Sequence, residues 1–146
     1  MTVLGRVFRL LVVLATFAAP PAFAQALSKL PAAEKNAIRT VIEGQLGAFR
    51  SDDGERAFGY ASPNIRGIFR TADNFMAMVR QGYQPVYRPR SVSFGDLVDI
   101  DANLIQKVYV TGPDGKRVLA LYVMERQADG TWRVNGCMLA DPEDEV

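Results

Sequence analysis

The sequence predicts an α+β domain in which N-terminal helices pack on an antiparallel sheet of about four strands. Three observations carry that expectation. Apolar residues recur at helical spacing as far as Gly82, and after Pro89 the period changes to two. Two turn signals, Gly112-Pro113-Asp114-Gly115 and Ala128-Asp129-Gly130, then divide the second half into hairpins. The stretch Phe75 to Phe94 joins the halves through a Tyr83-Gln84-Pro85-Val86-Tyr87-Arg88-Pro89-Arg90 corner.

The first residues read as an export signal. Arg6 and Arg9 precede the apolar run Leu10 to Ala19, and Ala22-Phe23-Ala24 supplies the small-residue pattern of a cleavage site. Val7 to Ala19 is too short for a membrane anchor, which needs roughly 20 apolar residues. The expected organisation is a signal peptide over 1–24, a single α+β domain over 25–140 and an acidic tail over 141–146, with localisation in the periplasm. Cys137 is the only cysteine, so no intrachain disulfide can form. Lying among Val134, Met138 and Leu139, it reads as a buried small hydrophobe rather than a thiol for an intermolecular bridge.

In the helical half, Ile38, Val41, Ile42, Gln45, Leu46 and Phe49 fall on one stripe, with Pro31 suited to the first turn. Gly44 and Gly47 weaken that helix, which suggests a close neighbour there. Gln45 is the polar member of the stripe. It either ties the helix to nearby backbone, the favoured reading, or points into a cavity filled by ligand or water. Asp52-Asp53 can cap a short helix carrying Ala57 and Phe58, Ser62-Pro63 starts another with Ile65, Ile68 and Phe69, and Thr71 caps a third with Phe75, Met78, Val79 and Tyr83. Met76 and Met78 read as core filling.

In the sheet half, strands are expected from Ser91 through Asp99, from Leu104 to Thr111, from Arg117 to Arg126 and from Trp132 to Ala140. The last strands are apolar on both faces. Since the helices cover one face, Tyr109, Tyr122, Met124 or Trp132 is expected on a second apolar surface, and Gly136 marks a candidate bulge.

The segments Gln45-Leu46-Gly47-Ala48-Phe49, Ala61-Ser62-Pro63-Asn64-Ile65, Phe75-Met76-Ala77-Met78-Val79, the corner from Tyr83 to Arg90, and Asp129 to Cys137 together resemble a bacterial family known as domain of unknown function 4864. The resemblance covers almost all of the chain after the signal. Its order of elements is similar to the nuclear transport factor 2-like (cystatin-like) fold, which implies a curved, cone-shaped sheet closed on one side by helices. No functional residue is carried over by the resemblance.

The chain has 17 basic and 16 acidic residues and no histidine. Near-neutrality and the export signal argue against nucleic acid. Without histidine, and with one cysteine, a zinc or copper site of the usual kind cannot be built. No EF-hand loop surrounds Asp96, Asp99 and Asp101, so neither a metal nor a cofactor is expected. Basic residues concentrate in the middle, where Arg66, Arg70, Arg80, Arg88 and Arg90 face only Asp73 in the count.

The corner is the best candidate site. Pro85 and Pro89 restrict Gln84 and Arg88 to extended backbone, so an anion-tipped, partly apolar ligand could be held by Arg80, Tyr83, Tyr87, Arg88 and Arg90. Set against this is a purely structural corner, whose tyrosines close the core and whose arginines pair with the acids of the sheet. Three functions follow in order: a small periplasmic module binding an amphipathic or anionic molecule; a module that dimerises or docks through an outer sheet face carrying Tyr122, Met124 and Trp132; and an enzyme using a cavity carboxylate or tyrosine.

Overall fold

The computed structural model describes residues 30–142. The export signal expected over 1–24 lies outside the described residues, as do residues 143–146 of the acidic tail. No helix among the described residues is long and apolar enough to cross a membrane.

Helix α1 (Ala32–Arg50) buries Ile38, Ile42, Gln45, Leu46, Ala48 and Phe49, which is the predicted stripe with Ala48 added and Val41 only partly buried. Its two glycines behave differently. A Cβ at Gly44 would collide with the Tyr60 ring, whereas one at Gly47 would meet open space. Close packing therefore explains only Gly44. Three short helices follow: α2 (Gly54–Gly59), α3 (Pro63–Phe69) and α4 (Ala72–Gly82). Asp53, Ser62 and Thr71 accept from the N–H groups of Arg56, Ile65 and Asn74, so each helix begins at the cap that its residues dictate.

The corner departs from expectation. Gln84–Tyr87 is one helical turn, α5, and not extended backbone. Tyr87 and Arg88 donate their backbone N–H groups to the carbonyls of Tyr83 and Gln84. Pro85 sits in the first turn, where a missing N–H costs no hydrogen bond, so the proline favours the turn instead of opposing it.

Strands β1 (Ser91–Ile100), β2 (Asn103–Thr111), β3 (Arg117–Arg126) and β4 (Trp132–Ala140) form an antiparallel meander in sequence order. Asp101 and Ala102, at φ 52° and 62°, make the left-handed two-residue turn between β1 and β2. Strand β4 is bulged. Val134 lies opposite Met124 and Gly136 opposite Val123, which leaves Asn135 as the extra residue, one place before the expected position.

Directly paired residues share a face. Gln106, Tyr122 and Cys137 form one cross-strand row, and Leu104, Met124 and Val134 form the next. This is the face that the helices cover. Tyr122, Met124 and Trp132 are buried in the main core together with Ile42, Leu46 and Phe75, and do not lie on the outer face. Because both parities of β3 are apolar, only the docking of α1 decides between them. Trp132 donates its indole N–H to Glu34 Oε2 at 2.7 Å, and Arg126 pairs with the same carboxylate, so the start of α1 is tied to the β3–β4 hairpin. The outer face instead carries Ile105, Tyr109, Leu119, Leu121, Val123 and Met138.

The free edge of β4 is covered by residues 60–62. Val134 donates to the Tyr60 carbonyl and accepts from the Ser62 N–H, both at 2.9 Å. Ser62 is fully buried, and its hydroxyl donates to Asn135 Oδ1 at 2.7 Å. The bulged residue thus holds the N-terminus of α3 beside the sheet.

Candidate functional site

Between the helices and the inner face of the sheet lies a cavity of about 360 Å³. This is within the range of about 300–1,000 Å³ typical of small-molecule sites. Phe49 and Gln45 of α1 form one wall, Ile65, Ile68 and Phe69 of α3 another, and Phe75, Met78, Val79 and Tyr83 of α4 and its end a third. Tyr122 of β3 and Val134 and Cys137 of β4 make the floor. Helix α3 buries none of its residues fully, and Ile68 is 62% exposed at the cavity's mouth. Phe75 sits in a cluster with Phe49, Phe58 and Phe69, its ring centroid 5.3–6.2 Å from theirs.

The cavity's polar groups are few. The Gln45 side-chain amide donates to the Ala57 carbonyl at 3.1 Å, so it both ties α1 to α2 and lines the cavity. The Tyr83 hydroxyl donates to the Cys137 carbonyl at 2.9 Å. The Tyr122 hydroxyl is buried and has no hydrogen-bond partner. Burial, reinforced by the nearby Cys137, holds the Tyr122 phenol well above its usual value, and raises Tyr83 for the same two reasons. Burial pushes the Cys137 thiol up to about 12. All three groups are therefore neutral at physiological pH, and the lining contains no carboxylate, lysine or arginine.

The candidate ligand-binding residues do not converge on one place. Gln45 and Tyr83 line the cavity, whereas Arg80, Tyr87 and Arg88 gather on Asp52, just after α1. Arg88 Nη2 lies 2.6 Å from Asp52 Oδ2, the Tyr87 hydroxyl donates to Oδ1, and Arg80 lies 3.6 Å from the same oxygen. The Arg88 guanidinium also stacks at 3.8 Å on the Tyr87 ring and donates to the Phe49 carbonyl at the end of α1, which also accepts from the Asp52 N–H. Asp52 reaches this position through a left-handed backbone, φ 52°, which Asp tolerates better than most residues. The arginines thus meet an acid of the helical half, not of the sheet. Arg90 stands apart; its backbone N–H donates to Thr111 and its side chain lies towards Gly115.

The hydrogen bond from Tyr87, followed by the bond to and charge of Arg88, holds the Asp52 carboxyl below its usual value. A depressed folded-state value makes the carboxylate stabilising above the unfolded-state value near 3.8, and that stability is lost as pH falls through the folded value. Asp52→Asn is expected to lower the urea midpoint at pH 7 and to flatten its fall below pH 4. An unchanged acid profile would show that the cluster contributes nothing there.

Signals for Tyr122, Cys137, Ile65 and Ile68 as cavity residues were present only as apolar character, which does not separate a cavity wall from a packed core. Among the described residues no group of His, Cys, Asp and Glu could hold a metal ion. No curated protein and no solved structure matches the chain. The sequence model of one family, a domain of unknown function (DUF4864), matches residues 31–146, which takes in every helix and strand described, and the chain belongs to that family.

Proposed function

We propose that this domain is a non-enzymatic module of the periplasm that binds a small, largely apolar molecule between its helices and its sheet. The observation that carries the reading is the 360 Å³ cavity between the helices and the sheet, lined almost wholly by apolar side chains. Under this reading the sheet is the wall of a nuclear transport factor 2-like cone and α3 is its cover, and residues 1–24 direct export. An amphipathic ligand fits better than an anionic one, since Arg80 and Arg88 are engaged by Asp52 and no cation lines the cavity. Catalysis by a cavity carboxylate lacks the carboxylate, and the cavity tyrosines stay protonated near neutral pH.

A second reading, pairing of two copies through the outer sheet face, draws on Met138, which is 52% exposed beside Leu121 and half-buried Val123. Native mass spectrometry of protein isolated gently from its own host separates the two. A monomer carrying a reproducible extra mass of a small molecule is the expected result. Bare monomer in every preparation would count against the binding module, and a ligand-free dimer would favour the outer face.

A further inference from the structure

Tyr122 lines the floor of the cavity, and its hydroxyl is the buried side-chain polar atom that the fold leaves without a partner among the described residues. Such a group normally costs the folded state a desolvation penalty, and native proteins keep few of them. None of its neighbours bonds to it. The Gln45 amide N–H donates to Ala57 and the Tyr83 hydroxyl to the Cys137 carbonyl. A bound water requires two to four polar partners, and here the remaining walls are Phe49, Ile65, Phe69, Phe75 and Val79. A ligand atom can supply the missing acceptor.

The chemistry of that atom follows from its surroundings. An anion would enter an apolar cavity with no cation to pair with, at a high desolvation cost. A carbonyl oxygen accepts the Tyr122 hydrogen and brings no donor of its own that would then need a partner. We propose that the cavity's ligand is a neutral, apolar molecule carrying a carbonyl oxygen, which accepts a hydrogen bond from the Tyr122 hydroxyl. This rests on the reading of the cavity as a ligand site and adds to it the class of ligand. Tyr122 is the selecting residue, and the aromatic and aliphatic walls supply the binding area.

The test is a titration of the protein, followed by protein NMR, with three probes of one bicyclic frame: 2-acetonaphthone, 2-ethylnaphthalene and 2-naphthoate. The ketone is expected to bind roughly three- to tenfold more tightly than the hydrocarbon, the worth of one neutral hydrogen bond. The carboxylate is expected to bind most weakly. In Tyr122→Phe, which keeps the ring, the ketone and the hydrocarbon should bind equally. Equal binding of those two by the wild type, or a ketone preference that survives in the variant, overturns the assignment of Tyr122. Tightest binding by 2-naphthoate overturns the neutral class while leaving the cavity reading standing. Failure of all three probes removes the cavity reading itself, and this inference with it. The wild-type ranking decides the class even if the variant does not fold.

Discussion

Phe75→Ala is expected to destabilise the domain by about 3–5 kcal/mol, the range for truncating a buried aromatic. Phe75 is almost fully buried in α4, and its ring touches the three other phenylalanines that join α1, α2 and α3. The same ring lines the cavity, so its loss would enlarge an existing void that the short helices cannot collapse to fill. The cost should therefore lie towards the upper end of the range. Against a typical total of about 5–15 kcal/mol, one such change removes a large share of the stability. Urea unfolding with an unchanged slope is the check. A loss under about 1 kcal/mol would mean that the phenylalanine cluster does not hold the helices together.

Tyr122→Phe should act in the opposite direction, stabilising the unliganded protein by about 1–3 kcal/mol. The substitution removes only the hydroxyl, and with it the unpaired buried donor; the ring continues to fill its place on the floor of the cavity. A thermal midpoint several degrees higher is the expected measurement. A lower midpoint would show that the hydroxyl has a partner in the unliganded protein. A residue whose removal improves stability is the signature of a group retained for binding, because sites commonly carry groups that the fold alone would discard.

Local chemistry made much of the architecture legible. Asp53, Ser62 and Thr71 start their helices where a side-chain oxygen can satisfy a free N–H, and Gly115 and Gly130, both at positive φ, turn the hairpins where the sequence placed them. The α1 stripe was readable for a similar reason: helical period and burial of one face are set within a few turns of chain. The corner shows the limit of local reasoning. Two prolines restrict the backbone around them, yet the hydrogen bonds of Tyr87 and Arg88 to Tyr83 and Gln84 folded it into a helical turn. The partner of Arg88, Asp52, lies 36 residues away and carried no mark of that role.

The candidate site was less legible than the fold. Gln45 and Tyr83 were identifiable, the first as a polar residue on an apolar stripe and the second as an aromatic at a helix end. Tyr122 was singled out too, but for the wrong face, because alternation on β3 gives two apolar rows that differ in no local property. Outside the corner, the sequence by itself determined which segments are helix or strand and that the four strands follow one another as a meander, since caps, turns and periodicity act over a few residues. Tertiary structure alone decided which face of the sheet α1 covers, that a cavity remains beneath α3, and that the hydroxyl of Tyr122, a residue lining it, is left buried and unpaired. Those outcomes depend on how side-chain volumes from distant elements fill a shared space, and no neighbouring residue in the chain encodes the space left over.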